Sequence, residues 1–376
     1  MKKVLIAVIL TSLIFLTSCI PQNTEIRYRL VIEGIGIDYD TENDLYELTV
    51  QVLETGNSDP EQGKSSSPVT NYTVKGKTIA EAISSLCENT GKYPLYSQNR
   101  IIILGSSVTA ERMIKSLNFF VREYTSRPDV FIAAAKGKAS DILTTEVGSE
   151  VPAKLIESEI ELCHDNSLSV DTELYNTVNL TLEETSCFTL PLLEITEDRI
   201  PDGKTIKITG TRACSERTDP LNLSAAETQA YLFIMNEVKT GSLSTDINST
   251  TVGFDIIESE TKTTLSIENE APFFLIEVNC KVDVIEFGAD SFDSFSQNDL
   301  KETETAVAQQ IAHRMAGILD RMLKKEKCDI FRFRTRIAQK YPGLNDKIKS
   351  DDLLSSIDYK VRVTVDAGRI GQMTMH

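Results

Sequence analysis

The chain has 376 residues, with 56 Asp and Glu against 39 Lys and Arg, and a formal charge of −17. That excess repels nucleic-acid phosphates and anionic headgroups, which excludes nucleic acid as a natural partner. The length exceeds one ordinary hydrophobic core and points to two or three domains.

The N-terminus reads Met1-Lys2-Lys3 followed by the largely apolar run Val4–Leu16. A spanning helix needs roughly 20 apolar residues. A positive start, a short apolar core and small residues at its end describe a secretory signal peptide over residues 1–18. The run ends in Leu16-Thr17-Ser18-Cys19. An aliphatic residue, two small ones and a cysteine resemble the bacterial lipobox. That resemblance implies a diacylglyceryl group on the Cys19 thiol and cleavage just before it. Two acyl chains hold where one binds only marginally, at ~0.8 kcal/mol per buried CH₂. The alternative is a plain secreted protein with an incidental cysteine. No later segment is long and apolar enough to span a bilayer, so the expected topology is one lipid anchor and a body outside the membrane. Six further cysteines remain: Cys87, Cys163, Cys187, Cys214, Cys280 and Cys328. An even number permits disulfides outside the cytoplasm, but their wide spacing favours buried thiols.

Strand patterns follow. Leu30–Asp38 reads as a buried strand, and Tyr46, Leu48, Val50 and Val52 alternate on the next, so the two form a hairpin. Gly56–Thr70, rich in Ser, Gly and Pro, is an expected loop. Thr78 and Glu81 make a T-x-x-E capping box before the stripe Ile79, Ala82, Ile83, Leu86. Arg100–Gly105 and Asp129–Gly137 read as strands around a helix over 110–124, with a short helix near Ser140. Val151–Leu162 reads as helix, and the remainder of 148–197 as polar loop. Glu197–Thr205 looks like a boundary. A second capping box, Ser224 and Glu227, opens another helix. Phe274, Ile276, Val278, Cys280, Val282 and Val284 share one strand face. Val307, Ile311, Met315, Ile318 and Met322 stripe a helix over about 300–326, and Tyr359, Val361, Val363 and Val365 alternate in a closing strand. The expected class is α+β: mixed α/β, multidomain, with largely antiparallel sheets and packed helices. The expected domains are 19–198 and 199–376, with a further division near 262.

The residues offer no catalytic constellation. Asn71–Thr78 ends like a P-loop, but Asn71 replaces its first glycine and no strand is expected before the lysine. Gly34 and Gly36 lie inside a strand, where small residues serve close packing. Cys163 and His164 are adjacent, no C-x-x-C or H-E-x-x-H occurs, and no G-x-S-x-G marks a hydrolase. No cofactor and no metal is expected. Arg122, near a helix end, and Arg127, in the turn before Pro128, have structural roles as the first reading. Together with Glu227 they are also the candidate partner contacts.

The ordered series of segments resembles one family. After the lipobox come "EIRYRLVIEGIGID", "YELTVQV", "GKTIAEAISSL", "LYSQNRIIILG" and "LNFFVREYTSRPDVFIAAAKGKASDIL". Then come "GTRAC", "PLNLSAAETQAYLFIMNEV", "ETETAVAQQIAHRMAGIL", "DIFRFRTRIAQKYP" and "VRVTVDAG". This resembles the Ger(x)C lipoproteins, the C subunits of bacterial spore germinant receptors. Ile20-Pro21 departs from the tryptophan usual after the lipid cysteine, and Gln98-Asn99 from a frequent Gly-His. The resemblance implies a non-enzymatic subunit on the outer face of the spore inner membrane. Its implied partners are an A-type subunit and a permease-like B-type subunit. A solute-binding lipoprotein of a transporter is the alternative, and a lipid-anchored cell-wall hydrolase a third reading.

Overall fold

The computed structural model describes residues 28–54, 69–123, 125–148, 150–183, 187–200, 203–247, 250–269, 271–287, 297–344 and 351–370. β1 (Arg29–Asp40) and β2 (Leu45–Leu53) form the expected antiparallel hairpin. Next come β3 (Val69–Gly76), α1 (Ile79–Thr90), β4 (Tyr93–Leu95), β5 (Ile101–Leu104), α2 (Ala110–Arg122) and β6 (Phe131–Ala135). α3 (Ala139–Thr144), α4 (Pro152–Asp165), α5 (Leu174–Thr181), β7 (Cys187–Ile200), β8 (Gly203–Ser215) and β9 (Leu221–Ser224) complete this part. The strands make one nine-stranded sheet in the order β3-β2-β1-β5-β6-β7-β8-β9, with β4 beside β1.

Its centre is parallel, β1 to β5 to β6 to β7, with antiparallel strands on either side. Parallel strands need both faces covered, and the side chains of β5 show how. Ile102 and Leu104 point into a core with α1, α2 and α5, while Ile101 and Ile103 point into one with α3 and α4.

The glycines of β1 allow the second layer to approach. A Cβ on Gly34 would stand 2.9 Å from the Ala153 Cβ, and one on Gly36 3.2 Å from Ala139. Beyond them, buried Asp38 accepts the backbone N–H groups of Ala139 and Ser140, each at 2.9 Å, and so caps α3 from across the sheet.

The second part begins with α6 (Ala225–Met235), then β10 (Gly241–Ile247), β11 (Thr250–Glu268) and β12 (Ala271–Phe287). α7 (Gln297–Leu319) runs on as a π-helical turn, Asp320–Lys325, before α8 (Phe333–Lys340), α9 (Asp351–Ser356) and β13 (Asp358–Ile370). The sheet order is β10-β11-β12-β13, antiparallel except for β12 and β13. The six alternate residues expected on β12 are all buried, as is the stripe Val307, Ile311, Met315, Ile318 and Met322, and they share one core. α6 is buried on every side from Thr228 to Ile234.

Two expectations need correction. β3 does precede Lys77, so Asn71–Thr78 has a strand after all. It passes directly from Gly76 to the helix cap Thr78, leaving no loop to wrap a phosphate. The stretch read as polar loop before residue 197 contains α5 and most of β7. Pro191 argues against a strand, but it sits just before the short pairing of Leu192 and Leu193 with β6. Residue 198 lies within β7, which pairs antiparallel with β8. Residue 262 lies within β11, whose pairing with β12 runs through it.

A Cβ on Gly105 would fall 1.9 Å from Asp38 Oδ1. Gly105→Ala must displace that carboxylate from the α3 cap. Overpacking of this kind costs ~1–3 kcal/mol, and the expected result is a lower urea midpoint at an unchanged m-value.

Candidate functional site

The two parts meet along a polar joint built around the segment after α7. Asp329 is wholly buried, and its carboxylate accepts the N–H groups of Phe333 (3.0 Å) and Arg334 (2.7 Å), which starts α8. Burial pushes this carboxyl above its ordinary range, against the pull of those N–H groups. Phe333 stacks on Phe274 of β12 with ring centroids 3.9 Å apart, and Phe331 packs against it from the side. The chain can therefore present Arg332 outward in a left-handed conformation, φ 61°. Its guanidinium forms a two-point ion pair with Glu183, just after α5, and the Thr335 hydroxyl donates to the same carboxylate. Close by, the Cys187 and Cys328 sulfurs lie 3.9 Å apart.

A second seam joins α4 to the chain after α6. Lys239 pairs with Asp165 at 2.8 Å, the Lys239 N–H donates to the Ser167 hydroxyl, and the Thr240 hydroxyl donates to the Asp165 carbonyl. None of these long-range pairings was visible in the sequence, because the partners lie 72 to 152 positions apart.

The candidate contact residues take different places. Arg122 ends α2, exposed, and makes no hydrogen bond or ion pair among the described residues. Arg127 grips Asp129 with two bonds, Nε to Oδ1 at 2.9 Å and Nη2 to Oδ2 at 2.7 Å, which raises its already high pKa. The following residues hydrogen-bond to the start of α5, where Tyr175 is exposed. The end of α2, this turn and the start of α5 thus form one edge bearing Val121, Arg122, Arg127 and Tyr175. Glu227 lies elsewhere. It completes the expected capping box with Ser224 and binds Arg321 of the π-helical turn, so it ties α6 to the end of α7. Cys19 lies outside the described residues.

The first capping box closes differently. Thr78 accepts from the Glu81 N–H at 3.1 Å, but the Glu81 carboxylate returns to the N–H of Lys77 at 2.8 Å. Among the described residues no group of three His, Cys, Asp or Glu side chains could hold a metal. The His164 ring nitrogen Nδ1 lies 3.3 Å from the Ser169 carbonyl oxygen.

Two known family regions match along the chain. Residues 22–195 match the family described as the spore germination protein N-terminal domain, and residues 221–371 match "Spore germination B3/GerAC like, C-terminal". This chain belongs to the Ger(x)C family of spore germination proteins. Spore germination protein B3 of Bacillus subtilis (strain 168) is 25% identical over 352 residues, 90% of this chain and 91% of that protein. Spore germination protein A3 of the same organism is 28% identical over 145 residues, 38% of this chain and 37% of that protein. The crystal structure of the GerBC protein has the same fold, with a TM-score of 0.59 and 21% identity, over 89% of this chain and 97% of that one. Membership of the Ger(x)C family gives the chain a role in spore germination. The first family region ends within β7 and the second begins at β9, so the joint described above links the two regions of a Ger(x)C protein.

The Glu227 clamp predicts a pH dependence. Burial pushes its carboxyl up, but the Ser224 N–H and the Arg321 guanidinium outweigh that and hold it below the ordinary 4.5. A carboxyl depressed on folding adds stability above its unfolded pKa, and that stability is lost as pH falls through the folded value. Glu227→Gln is expected to cost about 1 kcal/mol at neutral pH and to flatten the loss of stability below pH 4.5. Urea melts of both proteins across that range measure this.

Proposed function

We propose that this chain is the lipid-anchored, non-enzymatic C subunit of a nutrient germinant receptor, acting by contact with its membrane partners. The observation that carries the reading is the family match over both regions, downstream of a signal-like N-terminus that ends in Cys19. A diacylglyceryl group on Cys19 holds the body at the outer face of the spore inner membrane. Among the described residues no helix is long and apolar enough to cross a bilayer.

The tether is short. Nine residues run from Cys19 to Tyr28, which at full extension reach about 30 Å. The body therefore stays close to the membrane with its β1 end, where Arg29 pairs with Tyr93 of β4, nearest the anchor. The partners are an A-type subunit and a permease-like B-type subunit. The edge at Val121, Arg122, Arg127 and Tyr175 is the docking face. Exposed Arg and Tyr beside an apolar residue have the composition of a binding hot spot, and Arg122 is available to a partner carboxylate.

The test is made in spores. Cys19→Ala is expected to move the protein from the membrane to the unbound fraction, read by fractionation and immunoblot, and to remove the response to the nutrients this receptor serves. An acylated or membrane-retained Cys19→Ala protein would overturn the anchor. Normal germination to every nutrient after deletion of the gene would overturn the receptor role.

The face is tested separately. The double variant Arg122→Glu with Tyr175→Ala should fold and anchor normally yet germinate several-fold more slowly. Both changes are on exposed side chains, so the thermal midpoint should stay unchanged. An unimpaired germination rate would move the docking face elsewhere.

A further inference from the structure

Cys187 and Cys328 have no part in the lipid anchor or the contact face, yet the fold sets their sulfurs side by side. They lie 141 residues apart in the chain and bring their sulfurs to 3.9 Å, both as thiols. Each comes from a different family region: Cys187 opens β7 of the nine-stranded sheet, and Cys328 follows the π-helical turn after α7. Cys214, by contrast, faces the Met113 sulfur at 3.7 Å.

We propose that Cys187 and Cys328 are a redox-active dithiol that closes into a disulfide and clasps the two family regions together. The sulfurs must approach by about 2 Å to reach the usual bond length near 2.05 Å. Cys187 is the entry point, since it is 5% exposed while Cys328 is fully enclosed. A hydrogen bond with the Cys328 thiol also holds Cys187 below the ordinary thiol range, while Cys328, bonded to Cys187 and buried, is pushed up. The nucleophile in such exchange is the thiolate.

The oxidant is a disulfide, either of a small thiol or of a thiol–disulfide oxidoreductase. The Cys187 thiolate attacks one sulfur of that disulfide and expels the other as a thiolate, leaving a mixed disulfide on Cys187. The expelled thiolate takes the proton of Cys328. The Cys328 thiolate then attacks the Cys187 sulfur, and the second small thiol leaves as a thiolate that is protonated from water. One S–S bond forms in the protein, one breaks in the oxidant, and two thiols are released. A reducing dithiol reverses the sequence.

The clasp shares a core with Phe331 and Phe333, and each cysteine lies four positions along the chain from one partner of the Arg332–Glu183 pair. In the dithiol form the joint is held by packing, ion pairs and hydrogen bonds. In the disulfide form it is covalent, and separation of the two regions is blocked.

The experiment uses the full-length chain in detergent, incubated over a range of oxidised to reduced glutathione ratios. The reaction is quenched with acid, and the chain is unfolded, alkylated, digested and mapped by mass spectrometry. The expected result is a linked peptide pair joining Cys187 to Cys328. Both should leave the alkylated pool together and return after dithiothreitol, while Cys214 and Cys280 stay alkylated throughout. Cys328→Ser should remove the linked pair and leave glutathione on Cys187, and Cys214→Ser should keep the link. Full alkylation of both cysteines at every ratio, or a link from either to another cysteine, overturns the proposal. If a variant fails to fold, the peptide map of the unsubstituted chain decides by itself.

Discussion

The buried carboxylate of Asp329 is the constraint on which the arrangement of the two regions depends. A charge taken out of water is tolerated only when it is fully hydrogen-bonded, and two N–H groups at the start of α8 meet that need. Fixing them sets the direction of the five residues that follow. Phe331 and Phe333 then turn into the core against Tyr231 and Phe274, and Arg332 must turn outward, where it finds Glu183. One local hydrogen-bonding requirement thus determines where the second region presses on the first.

Local patterns in the sequence were legible where one element could satisfy itself. The alternation along β12 and the stripe along α7 both predict their buried faces residue by residue. The Ser224–Glu227 capping box closes as its spacing requires. The glycines of β1 were readable as close-packing sites, and Ala139 and Ala153 are the neighbours that need them. β7 was not legible. Its Pro191 and its few pairings with β6 hide it, because its position is fixed by β8 and by the sheet rather than by its own periodicity.

The candidate site divides in the same way. The exposed position of Arg122 follows from its place at a helix end, and so does the pairing of Arg127 with a carboxylate two residues on. The joint does not follow from any local pattern. Glu183 is the first of two adjacent glutamates after a helix, and Arg332 lies in a run of alternating aromatic and basic residues that could equally belong to a strand. Only the fold brings them together. The contact function proposed above needs no clustered titratable residues, so its surfaces leave a weaker trace in sequence than an active site does.

The placement of β13 has a consequence for assembly. It lies parallel to β12, and everything from Gln297 to Ser356, including the long helix, must be threaded between them before the last strand can dock. The C-terminal sheet therefore stays incomplete until β13 has been made. A product that stops short of Asp358 would retain all the helices of this region but leave one side of β12 without its neighbour, as an open edge ready to pair with another molecule.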